Sequence, residues 1–304
     1  MPNSFTFHLS TQVFSIKIWK YGRYFVNLPP IRNKTTKIDT QTNMHIETAP
    51  AYSHLRTWLS DVPRLMARSE GRLLYKGRNE VRLFLVDGRQ VVAKRFKRHG
   101  LVKMVAYTLF RPSKARRAYE NAMELQRRGF ATPAPIAFME ERCCGLVRQV
   151  YYVCEHTDAQ PIRPRLIEQD PFDQSLATAY ARFVAQLHEA GVLHRDLNPT
   201  NVLFKEGGGT TSSGRSRPPY TFELIDINRM RFYDGAVPRA ECMENLTLFY
   251  WLTPAYRYIL GEYAAARRWT DEDTAEAIRV KERHDRRWIR RKQITHLGRY
   301  EVLH

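Results

Sequence analysis

The sequence predicts an α+β protein of two lobes: a small N-terminal antiparallel sheet with a helix packed on it, then a larger, mostly helical C-terminal lobe. Three observations predict it. Residues 72–96, "RLLYKGRNEVRLFLVDGRQVVAKRF", are apolar runs of period two broken at Gly77 and at the Asp87-Gly88 pair, a hairpin signal. Residues 113–129, "SKARRAYENAMELQRRG", place Ala115, Ala118, Tyr119, Ala122 and Leu125 on one helical stripe, with Gly129 where a C-terminal cap belongs. Beyond residue 170 the helical period dominates, beginning with Leu176, Tyr180, Phe183, Val184 and Leu187 and ending at Gly191.

Along the chain, residues 1–43 differ in character from residues 44–304. Strand-like alternation in "TFHLSTQVFSIKIW" gives way to the polar, proline-interrupted "NLPPIRNKTTKIDTQTN". This stretch reads as a poorly ordered extension or as the product of an upstream start codon. Residues 44–155 then form the N-lobe: the sheet, its helix, an extended "TPAPIAF" forced by its prolines, and the strand "LVRQVYYV". Residues 156–304 form the C-lobe. Within it, "KEGGGTTSSGRSRPP" (205–219) is a Gly/Ser-rich loop between the strand-like "NVLF" and "YTFELIDI".

Composition bounds the setting. A chain of 304 residues, 43% apolar, can bury one large core or two smaller ones. A net charge of +18 attracts phosphates, anionic lipid headgroups or nucleic acid, and its sign does not choose among them. The basic stretch "IRVKERHDRRWIRRKQ" reads as a solvated helix face ahead of a dedicated binding surface. Cys143, Cys144, Cys154 and Cys242 lack the spacing of a zinc site and the density of a disulfide framework, so they read as reduced cytosolic thiols. No apolar run approaches the roughly 18 residues of a membrane span, and polar residues interrupt the N-terminus before a signal sequence forms.

The chemistry concentrates in "LHRDLNPTNVLF". Phosphoryl transfer needs cations around the phosphates and a carboxylate to orient the accepting hydroxyl. The chain offers these in order: Lys94 on a strand for the nucleotide phosphates, Glu120 on a helix to hold that lysine, Asp196 to accept the hydroxyl proton. Asn201 and Asp226 supply oxygen ligands for magnesium. A five-residue step from Asp196 to Asn201 lets one loop turn both toward one cleft, and the following hairpin returns Asp226 to the same end. His194 braces this loop, and Arg195 belongs to the scaffold.

"HRDLNPTN", "VAKRF" and "LIDIN" resemble the catalytic loop, strand lysine and metal-aspartate motif of the protein-kinase-like fold. With "YKGRNEVRLFLVDGRQVVAKRFK" and "ARRAYENAMELQRRGFATPAPIA", the chain is similar to the lipopolysaccharide core kinases, the Kdo/WaaP (InaA-like) family, over roughly residues 50–235. The resemblance implies a bilobal enzyme using ATP and Mg2+. Its substrate would be a sugar, Kdo or heptose, in the lipid A-linked core saccharide, reached as a peripheral protein on the anionic cytoplasmic face of the inner membrane. No nucleic-acid partner is expected. The chain departs from ordinary protein kinases in four places: only Gly77 stands for the glycine-rich loop, with Arg78 and Asn79 beside it; Asn198 replaces lysine; "DIN" replaces D-F-G; and no A-P-E follows Asp226. Glu155 falls where the linker between lobes would meet adenine, or is a surface glutamate after a strand. Two further readings stay open, a phosphotransferase of the aminoglycoside or choline kind and a pseudokinase binding an anionic partner.

Overall fold

A computed structural model describes residues 4–9, 12–17, 42–98, 100–207 and 219–295. The chain divides into two compact units, Met1–Asp39 and Thr40–His304. In the first, β1 (Ser4–Leu9) and β2 (Gln12–Lys17) pair antiparallel, Ser4 opposite Lys17, where the sequence alternates. The rest of residues 1–41 lies outside the described residues, and so does the reading of that stretch as an extension or start-codon product.

The second unit opens with β3 (Thr42–Thr48), two residues ahead of the boundary read at Met44. Then come α1 (Arg56–Ala67), β4 (Arg72–Lys76), β5 (Glu80–Val86), β6 (Arg89–Arg95), α2 (Leu101–Leu109), α3 (Lys114–Arg127), β7 (Pro135–Cys143) and β8 (Leu146–Glu155). The strands form one antiparallel sheet in the order β3-β7-β8-β6-β5-β4. Asp87 and Gly88 both take positive φ, 50° and 76°, as the tight turn joining β5 to β6 demands.

Period two decides what each face does. On β6, Val91 and Ala93 are buried with Leu55, Leu59, Val62 and Met66 from α1 and the turn before it. Val92 and Lys94, one residue out of phase, line a cleft on the other face. There α3 packs through Ala115, Ala118, Ala122 and Leu125 into a core shared with the helical lobe. The stripe of α1 stabilises the sheet by about 1.5–3 kcal/mol for each large apolar side chain it buries. Sequence reading singled out neither α1 nor α2. Pro63 interrupts the first, and the second is short and largely apolar, with few polar residues to mark its outer side.

The helical lobe follows: β9 (Gln160–Pro161), α4 (Gln174–Glu189), β10 (Val192–Leu193), β11 (Val202–Glu206), β12 (Tyr220–Leu224), β13 (Arg231–Phe232), α5 (Arg239–Leu246), α6 (Pro254–Ala266) and α7 (Asp271–Thr295). Asp173 caps α4, accepting from the Leu176 N–H at 2.9 Å. The helix stops at Gly191, whose φ of +71° and whose Cβ position, 2.4 Å from the Gly235 carbonyl and 2.5 Å from that of Tyr233, exclude any side chain. β11 and β12 form the expected hairpin, closed by Gly207 N–H donating to Pro219 O at 2.7 Å. Residues 208–218 of its loop lie outside the described residues.

On α7, Arg279 and Arg283 pair with Glu276 in exposed positions, as on a solvated face. The helix is anchored from its other side. Lys281, 1% exposed, donates to Thr247 O and Asp285 and lies against the rings of Trp251 and Tyr256. All four cysteines are free thiols. Among the described residues no helix is long and apolar enough to cross a membrane.

Candidate active site

The turn after β10 is built around His194, which is 1% exposed. Its Nε2 meets the Ile225 carbonyl at 2.9 Å and its Nδ1 meets the Asp196 N–H at 3.2 Å. A carbonyl only accepts and an N–H only donates, so the ring is neutral with its proton on Nε2. Burial pushes its pKa down, against the opposing pull of the Ile225 carbonyl and of Asp196 and Asp226. His194 therefore ties the loop to the residue preceding Asp226.

Behind it runs a chain that the sequence did not announce. Asn245 on α5 donates to the His194 carbonyl at 2.9 Å and accepts at its Oδ1 from His188 Nε2 at 3.0 Å. The Tyr263 hydroxyl on α6 then donates to His188 Nδ1 at 2.7 Å. Every member is buried.

Within the loop, the Asp196 carbonyl accepts from Asn198 N–H at 2.8 Å and from Asn201 Nδ2 at 2.9 Å. Asn198 Oδ1 accepts from the Thr200 N–H at 3.0 Å, and the Asn201 N–H donates to the Asn198 carbonyl. Asn198 thus shapes the turn. The Asp196 carboxylate, half-buried, has no hydrogen-bond or ion-pair partner among the described residues.

Asn201 O accepts from the Ile225 N–H at 3.0 Å, which brings the end of the loop beside Asp226. Asp226 sits in the left-handed region, φ 55°, a conformation aspartate tolerates better than most residues. Its Oδ1 accepts from Lys94 Nζ at 2.8 Å and from Asn228 Nδ2 at 2.7 Å. Burial alone would raise its pKa; Lys94 above all, with His194 and Asn228, holds the carboxyl below its usual value. These residues line a cleft of about 560 Å³ whose walls include Val81, Val92, Tyr152 and Leu203 and whose rim includes Thr200, Asn201 and Asn228.

Two residues, Glu120 and Gly77, stand differently from the sequence expectation. Glu120 does not hold Lys94. It is exposed and accepts from Arg116 Nε at 2.7 Å, because it points away from the buried stripe of Ala115, Ala118 and Ala122. The link from α3 to the site is Asn121, whose Nδ2 donates to the Ile227 carbonyl at 2.7 Å, next to Asp226. Gly77 turns β4 into β5 but does not line the cleft; Leu74, Tyr75 and Asn79 do, and the Tyr75 hydroxyl lies 2.3 Å from where a Gly77 Cβ would stand. Glu155 does line the cleft, with its side chain toward Arg89 at 3.3 Å and Tyr52. Its own N–H donates to Ala134 O and that of His156 to Gln90 O, so neither is free to meet a nucleobase.

The residues fit a divalent cation. Asp226 is held ionised, and Asn201, its amide nitrogen committed to Asp196 O, keeps Oδ1 without a protein partner among the described residues. No group of three or more His, Cys, Asp or Glu able to hold a metal occurs among the described residues. One carboxylate and one amide oxygen suit a hard ion that takes its further oxygens from phosphate and water.

Residues 68–280 match the model of the "Lipopolysaccharide kinase (Kdo/WaaP) family". No curated protein sequence matches the chain. Among solved structures, "WaaP in complex with acyl carrier protein" is similar at 20% identity, covering 80% of this chain and 98% of that one, with a TM-score of 0.53. A Rio2 kinase–ADP/Mg2+–phosphoaspartate complex from Chaetomium thermophilum aligns at 18% identity over 78% of each chain with a TM-score of 0.39. The fold is protein-kinase-like.

Proposed function

The chain belongs to the lipopolysaccharide kinase (Kdo/WaaP) family and is a kinase; from this and the geometry of the cleft we propose that it transfers the γ-phosphoryl group of ATP to a Kdo or heptose hydroxyl in the lipid A-linked inner core. The observation that carries the proposal is the meeting of Lys94, Asn201 and Asp226 in one cleft, beside a loop whose Asp196 carboxylate has no partner among the described residues.

In this reading Asp196 accepts the proton of the sugar hydroxyl as its oxygen bonds to the γ-phosphorus and the bond to the ADP oxygen breaks. Lys94 sets a positive charge against the nucleotide phosphates, and Val81, Val92 and Leu203 give the nucleobase apolar walls. Asp226 and Asn201 would hold magnesium, which when bound offsets phosphate charge. The protein works as a peripheral one at the cytoplasmic face of the inner membrane, where its anionic substrate and its own +18 charge attract each other.

The test is magnesium-dependent transfer of labelled γ-phosphate to Kdo-lipid A, set against heptose-extended core, an aminoglycoside and a polypeptide. Transfer to the core saccharide alone is the expected result. Preference for the aminoglycoside or the polypeptide sinks the proposal, and nucleotide binding with no transfer to any acceptor would assign a pseudokinase.

Asn121 gives a second test. With Glu120 turned outward, Asn121→Ala is expected to lower turnover about two- to twelvefold, because losing one hydrogen bond worth about 0.5–1.5 kcal/mol frees the turn carrying Asp226. The magnesium concentration for half-maximal rate should rise as well. Glu120→Gln should leave both unchanged; if it is the more damaging of the two, the outward placement of Glu120 is wrong in the working enzyme.

A further inference from the structure

We infer that α2 is a membrane-docking element: its outer apolar stripe enters the interfacial layer of an anionic bilayer while the cations beside it meet the lipid headgroups. This rests on the reading of the acceptor as lipid-linked and adds the surface by which the enzyme reaches it.

The helix has two distinct sides. Met104 is buried; one turn on, the Thr108 hydroxyl donates to Met104 O at 2.7 Å and accepts from the Val147 N–H at 2.9 Å, fixing this side against β8. On the outer side Val105 and Leu109 are one turn apart, and Phe110 follows immediately. Their exposures are 39%, 66% and 78%. Single exposed apolar residues are ordinary on any protein surface, but a stripe ending in an adjacent Leu-Phe pair is not.

Charge supports the same occupant. No aspartate or glutamate occurs between Asp87 and Glu120. Lys97 and Arg98 are exposed just before α2, and Arg111 is exposed just after Phe110. Apolar knobs flanked by Lys and Arg are the composition of helices that lie in a bilayer interface. Each cation near an anionic surface contributes about fivefold to binding. An acidic protein would feel the same field, and the solved WaaP carries acyl carrier protein. Three side chains nevertheless fall well short of the roughly 800 Å² per partner of a stable protein interface. For a bilayer, a short apolar stripe with cations around it is enough.

The experiment is co-sedimentation of the full chain with vesicles of phosphatidylglycerol and phosphatidylcholine, compared with phosphatidylcholine alone. The wild type should bind the anionic vesicles and release with salt. Leu109→Ser with Phe110→Ser should weaken binding about tenfold or more, and Arg98→Glu with Arg111→Glu at least as much. Leu85→Ser, which alters an equally exposed apolar residue on β5, should bind as the wild type does, as should Asp196→Asn. Binding is read without turnover, so a failed kinase assay leaves it standing. Absence of anionic-vesicle binding, or binding that ignores the α2 substitutions, overturns the inference. So does capture of acyl carrier protein, in place of vesicles, through the same residues.

Discussion

Replacing Asp196 with asparagine is expected to lower phosphoryl transfer by about 10²–10⁴-fold, the usual contribution of a positioned general base, while nucleotide affinity and melting temperature stay near those of the wild type. The loop does not depend on the carboxylate. Its shape comes from the Asp196 backbone, whose N–H is held by His194 and whose carbonyl gathers Asn198 and Asn201. The side chain makes no bond that the substitution would break among the described residues. Asparagine keeps the volume and loses the negative charge, and with it the ability to take a proton. Asp226→Asn should behave differently, because it removes the charge that faces Lys94 at 2.8 Å and belongs to the proposed magnesium ligands. Nucleotide binding should weaken with it. Calorimetric titration with nucleotide, beside turnover at saturating nucleotide, separates the two variants. An Asp196→Asn protein within tenfold of the wild-type rate would mean that another group takes the proton.

What the sequence discloses about this site depends on how local each device is. The Asp87-Gly88 turn and the alternation after it place Lys94 on the cleft face, since both are set by neighbours in the chain. Asn201 and Asp226 meet through one hairpin, which is also local. Glu120 misleads because its type suits the role while its phase does not. It lies two residues from both Ala118 and Ala122, about 200° around the helix from each at 3.6 residues per turn, and four after Arg116, which pairs with it. That signal was present in the stripe itself. Asn121 is harder to find, since its partner Ile227 O is a backbone atom 106 residues away. The His188–Asn245–His194 chain joins α4, α5 and the loop, and no periodicity links polar residues that meet only through tertiary packing.

That buried chain sets the second large effect, a loss of stability in acid. Burial, with Arg267 adding to it and Asn245 opposing, pushes the His188 pKa down to about 4 from 6.5. In the unfolded chain the imidazole takes up a proton as pH falls below about 6.5, whereas in the folded protein it stays neutral until about pH 4. The unfolded state binds more protons across that window, so the contribution of neutral His188 is complete above pH 6.5 and is lost as pH falls toward 4. A displacement of this size amounts to about 3 kcal/mol. His194, also pushed down by burial, acts in the same direction. Urea unfolding of the wild type and His188→Gln at several pH values between 7 and 4 isolates the term, because paired carboxylates contribute equally to both proteins. The glutamine variant should be less stable at pH 7 and should lose stability less steeply, by nearly one proton. Transfer activity should fall with it even where the protein remains folded, since Asn245 holds the carbonyl of the residue that orients Asp196. Identical slopes for the two proteins would mean that His188 is already protonated in the folded state, and the tautomer chain from Tyr263 to the loop would have to be redrawn.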